Sequence, residues 1–132
     1  MPITLKDAKR MIEAAKVKAD ELGVPMVIAV VDGGGNLMAQ ERQDDALIVS
    51  IELSRDKAYS AVAVKADTAT IGDLAQPGAP LFGLGRANGG RIITFGGGLP
   101  IAEDGTIIGG IGVSGGSVEE DVACATAGLN AL

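Results

Sequence analysis

Apolar residues recur at helical spacing near the start of the chain. Leu5, Ala8, Met11, Ile12, Ala15, Ala19 and Leu22 form one stripe over residues 4–22, with lysines, Arg10 and acids on the remaining faces. That spacing predicts an amphipathic helix. Thr4 with Asp7 three residues later has the form of a capping box, and Gly23 followed by Pro25 stops the helix. The pattern then shortens. MVIAVVD (26–32) is rich in β-branched residues, GGGN (33–36) supplies turn residues, and LMAQER (37–42) follows, which predicts a β-hairpin.

A second helix is expected over residues 46–66, capped by Asp44 or Asp45. It is apolar around more than one face, as a helix covered on two sides would be. A short helical turn is expected from Thr68 to Gln76. Two prolines and five glycines within residues 77–91 then predict a long loop, a kind of segment that usually serves function or lies over an interface. IITF (92–95), LPIAE (99–103) and TIIGGIGVS (106–114) read as three strands, the first two separated by Gly96-Gly97-Gly98 and the last two by a tight Asp104-Gly105 turn. A last helix is expected from Val118 to Ala131. The sum is one α+β domain over residues 1–132, with a five-stranded antiparallel sheet packed by helices.

Composition narrows the function. The 132 residues carry a net charge of −6, and cation-poor surfaces of this kind exclude nucleic acid as a partner. No apolar run reaches the length of a membrane span, the N-terminus lacks a signal-peptide core, and Cys124 stands alone, so a cytoplasmic protein with no membrane partner is expected. With no histidine anywhere, Ser-His and Cys-His catalysis is closed, and proton transfer falls to carboxylates, lysine or Tyr59.

The glycine-rich stretch GGIGVSGGSVEEDV (109–122) leads into a helix but lacks the lysine and the glycine offsets of a phosphate loop. Ser117 and Glu120 form a second capping box, and three consecutive acids would repel an anion. Consecutive helical positions do not converge on one ion, so Glu119, Glu120 and Asp121 are read as solvated charges and no metal site is expected.

Eight of the eleven cations lie in the first two long helices, leaving Arg42, Arg86 and Arg91 in strands or loops. Arg42 and Lys57 are candidates for holding a small carboxylate, because an arginine fork matches that group. They are alternatively partners of Asp45 and Asp32 in internal ion pairs. Glycines inside strands mark bends or a close approach, by a ligand or by another backbone. The candidate ligand-binding set is therefore Arg42, Lys57, Arg91, Gly97, Gly98, Pro100 and Ser114, around a glycine-lined pocket near a subunit interface.

Taken in order, VVDGGGNLMAQERQDD, SRDKAYSA, GGGLPI and DGTIIGGIGVSGGSVEEDVACA resemble the signatures of the GlcG / HbpS / PduO C-terminal-domain family across nearly the whole chain. The resemblance implies a profilin-like fold, homo-oligomers from dimers to octamers and, in some members, binding of haem or its breakdown products. Other members sit in operons for glycolate, diol or aromatic-acid use. A histidine is the axial haem ligand in the PduO-type domain and is missing here, leaving Met11, Met26, Met38, Tyr59, Cys124 or a threonine as the iron ligands on offer. Haem is thus disfavoured as a cofactor. The expected function is that of an accessory protein of a catabolic pathway that binds a small ligand. The alternatives are an enzyme acting on a small organic acid with a lysine or carboxylate base, and a haem-binding or haem-degrading protein.

Overall fold

Helix α1 (Leu5–Leu22) is fixed at both ends by the residues that predicted it. The Thr4 hydroxyl accepts from the Asp7 amide at 3.1 Å, and the Asp7 carboxylate accepts from the Thr4 amide at 3.3 Å. Gly23 leaves the helix at φ 70°, a conformation that costs glycine nothing. The computed structural model describes residues 1–132. In it α1 is followed by β1 (Val27–Asp32), β2 (Leu37–Arg42), α2 (Val49–Val64) and α3 (Thr68–Leu74). A 3-10 turn at Leu84–Arg86, a single turn α4 (Ala87–Gly90), β3 (Gly98–Glu103), β4 (Thr106–Ser114) and α5 (Val118–Asn130) complete it.

The sheet is antiparallel throughout, in the order β2-β1-β4-β3. Strand alternation sends Ile28 and Val30 of β1, with Ile111 and Val113 of β4, to one face. There they meet Met11, Ile12, Ala15 and Ala19 of α1 and Cys124 and Ala125 of α5. The other face is built differently. Val31 meets Ala58 and Val62 of α2, but the neighbouring positions on that face are Gly110 and Gly112 of β4 and Gly98 of β3. A methyl group on Gly112 would collide with the Ser54 carbonyl oxygen, one on Gly98 with the Lys57 carbonyl oxygen, and one on Gly110 would lie 2.7 Å from the Ala58 carbonyl oxygen. Helix α2 therefore rests its backbone directly on a floor of glycines.

Three expectations are corrected. The sheet has four strands rather than five, because IITF is a loop, buried at Ile92 and Ile93 and exposed at Phe95. Its Ile93 amide is satisfied by α2 instead of by a neighbouring strand, donating to Ser60 Oγ at 2.8 Å. Ile92 and Ile93 are nonetheless buried, and so read as strand residues. Helix α2 starts at Val49, later than residue 46, and its N-cap Ile48 offers no side-chain bond. Asp44 and Asp45 thus cap nothing, and Asp45 sits at φ 70° in a bend before the helix. Asp121, expected in solvent, is buried. No helix is long and apolar enough to cross a membrane.

Candidate functional site

Two polar constellations stand out, and the candidate residues divide between them and a third group beside the long loop. Lys57 projects from α2 past the glycine floor and is wholly buried. Its ammonium donates to Asp121 Oδ2 at 2.8 Å and to the Val113 carbonyl at 2.9 Å, and lies 5.1 Å from the centre of the Phe95 ring. The other Asp121 oxygen accepts from the Gly116 amide at 2.9 Å. Burial pushes the Lys57 ammonium below its usual range and the Asp121 carboxyl above its own, and in each case the partner opposes the shift. Geometry explains Gly97 here: a side chain on it would meet Lys57 Nζ at 2.7 Å. The Gly98 amide donates to Thr68 Oγ1 at 2.9 Å, and the Ser114 hydroxyl shares a hydrogen bond of 3.0 Å with Ser50. Pro100 lies opposite Gly110 on the outer strand. Within one chain, the space left by these glycines is filled by α2 and the Lys57 and Thr68 side chains, so no cavity opens there.

Arg91 belongs to a third group, beside the long loop. Its guanidinium stacks 3.8 Å from the centre of the Tyr59 ring, and its Nε donates to Asp56 at 2.9 Å. The Tyr59 hydroxyl in turn accepts from Asn88 at 2.6 Å. Lys57 does not pair with Asp32, whose carboxylate is used to close the GGGN turn through the Gly34 and Asn36 amides. Arg42 does not pair with Asp45; its guanidinium makes one long bond, 3.4 Å to the Ala46 carbonyl.

Arg42 lines the second constellation, a cleft of about 600 Å³ between the C-terminal turn of α1 and the exit of β2. Lys16 and Asp20 from α1 face Glu41, Arg42, Gln43, Asp44 and Asp45 across it. Lys16 bridges the two walls, donating to Glu41 at 2.8 Å, and Gln43 ties the cleft floor by donating to Asp20 at 3.1 Å and accepting from the Met26 amide at 2.9 Å. Lys57 does not line this cleft, so the two cations singled out in the sequence do not share one pocket. The acids of the cleft and the Asp121 partner of Lys57 were missed. For Asp121 a signal existed: with Cys124, Ala125 and Gly128 it makes a buried stripe at i, i+3, i+4 and i+7.

Comparison with known proteins places these features in context. A 15.0 kDa protein encoded between dhaT and dhaS in Citrobacter freundii is 50% identical over 90% of this chain and 84% of its own length. The corrinoid adenosyltransferase PduO of Salmonella typhimurium is 42% identical over 98% of this chain, which spans only 39% of that protein. The solved PduOC:heme complex superposes with a TM-score of 0.97 at 42% identity, covering 100% of this chain and 96% of that one.

The side chains that most often ligate a haem iron are missing here or already engaged. There is no histidine; Met11, Met26 and Cys124 are buried in the core, and Met38 packs against it. Tyr59 is covered by Arg91, and burial raises the Cys124 thiol to about 11, far from the thiolate a metal needs. The cleft, lined mostly by charged and amide side chains, offers no apolar slot. Titration with haemin is expected to give no sharp Soret band at one equivalent per chain; a band saturating there with submicromolar affinity would contradict this. A match to the family model described as haem degrading protein HbpS-like extends over residues 3–130, and the chain belongs to this HbpS-like family.

Proposed function

We propose that the protein is a ligand-binding accessory domain that takes a small organic carboxylate in the cleft between α1 and β2, with Arg42 as the anchor. The observation that carries this reading is an arginine lining a cleft with no carboxylate in ion-pair contact. A guanidinium held that way keeps its fork of donors available for a bidentate partner. Lys57, by contrast, is fully engaged with Asp121 and Val113, which favours binding over an enzyme that would use Lys57 as a base and Arg42 as its clamp. The haem complex of a close structural relative supports a ligand-binding role for the fold, while the missing iron ligands turn the choice here toward a polar molecule.

Isothermal calorimetry with small aliphatic carboxylates tests the assignment. Arg42→Ala should remove a charge-assisted bond and weaken binding about tenfold or more. Unchanged affinity in that variant would retire Arg42 as the anchor.

The domain also assembles with copies of itself in this reading, anywhere from a dimer to an octamer. Leu47, Ile48, Val49 and Ile51 at the start of α2 are exposed, as are Phe82 and Phe95, a density of apolar side chains typical of an interface. Sedimentation equilibrium should show a species heavier than the 13.2 kDa chain; a monomer alone at micromolar concentration would contradict it.

A further inference from the structure

We infer that the ligand of the α1/β2 cleft is a zwitterion, carrying an ammonium group alongside its carboxylate. The inference rests on the carboxylate reading above and specifies its substrate class. It follows from which charges in the cleft are already used. Four carboxylates and two cations line it: Asp20, Glu41, Asp44 and Asp45 against Lys16 and Arg42. Lys16 is held between Glu13 at 3.1 Å and Glu41 at 2.8 Å, and its ammonium is stabilised in the charged form chiefly by the bond to Glu41. Asp20 accepts from Gln43. Asp44 and Asp45 make neither an ion pair nor a side-chain hydrogen bond, and both are exposed.

The groups left for a ligand are therefore one guanidinium and two carboxylates, on residues 42, 44 and 45 of a single short segment. A plain carboxylate would satisfy Arg42 but bring a further negative charge into a cleft that is already net negative. The C-terminal turn of α1 forms the opposite wall, and its carbonyl dipoles add to the same field. A cationic group on the ligand turns this repulsion into attraction. Residues 42, 44 and 45 follow one another closely in the chain and line the same cleft, so a short molecule with a charge at each end can reach both kinds of group.

The test uses three matched probes in calorimetry: 4-aminobutyrate, butyrate and butylamine. The wild-type protein should bind 4-aminobutyrate at least tenfold more tightly than either of the others. The paired change Asp44→Asn with Asp45→Asn should abolish that preference while leaving butyrate affinity equal or improved; asparagine tolerates the left-handed backbone at residue 45, so folding is preserved. Arg42→Ala should weaken 4-aminobutyrate and leave butylamine unchanged. If butyrate binds as well as 4-aminobutyrate and Arg42→Ala weakens both, the zwitterion is overturned and the carboxylate reading stands. If butylamine binds as well as 4-aminobutyrate and Arg42→Ala has no effect, both are overturned. Absence of binding by all three at millimolar concentration overturns both as well.

Discussion

Replacing Lys57 by methionine is expected to lower the unfolding free energy by about 3–5 kcal/mol, the cost of leaving a buried charge without its partner. The lysine is 0% exposed and the Asp121 residue 3%, so water cannot stand in for the lost ammonium. The carboxyl would have to remain charged in an apolar surrounding or take up a proton, and the Val113 carbonyl would lose a donor with it. Asp121→Asn should be costly for the converse reason, although its amide oxygen can still accept from Gly116. The pair is not required for stability as such. Two well-packed apolar residues of similar volume are often as good as a buried ion pair, and Lys57→Met combined with Asp121→Leu should recover much of the loss. Urea unfolding with an unchanged m-value measures all three. A loss under about 1 kcal/mol for Lys57→Met would show that the pair is screened by solvent, as surface pairs are.

Gly112→Ala is the second large effect. The added methyl group would press on the Ser54 carbonyl oxygen and come within 2.6 Å of the Ala58 amide nitrogen. Both are backbone atoms of α2, so no side chain can turn away; the helix itself must lift off the sheet. A loss of about 3 kcal/mol is expected, the upper part of the usual range for overpacking. Gly85→Ala serves as the control. Its new methyl group would make ordinary contacts at 3.6 Å with the Ile92 carbonyl oxygen and the Thr94 side chain, and its backbone is outside the left-handed region. Thermal unfolding of the two variants should differ by many degrees, and equal melting temperatures would contradict the direct seating of α2 on the glycine floor.

These two sites show what local pattern carries and what it does not. The ends of α1 and α5 were legible because each capping box is written within four residues, and Ser117 with Glu120 closes in space as it does in sequence. The turn between β3 and β4 was legible too, since Asp104 and Gly105 take the positive φ values, 52° and 79°, that such a pair is suited to. IITF misled because a short apolar run bounded by glycine is the same string whether its amides bond to a strand or to a serine on a helix. Lys57 was noticed, but not its partner. The α2 stripe of Ser50, Ser54, Lys57, Ala58 and Ala61 is buried despite being largely polar, since it faces glycines rather than large apolar side chains. The cleft had no local signature at all, because its walls, residues 16–25 and 41–45, meet only through the fold.

Amide chemical shifts followed by nuclear magnetic resonance while a small carboxylate is titrated in bear most directly on where this protein binds. A ligand anchored by Arg42 should move the signals of residues 16–24 and 41–45 and leave those of Lys57, Gly97, Gly98 and Ser114 in place. Shifts concentrated at Phe95 to Gly98 and around Lys57, with the α1/β2 cleft silent, would contradict the assignment and move the binding site to the glycine floor.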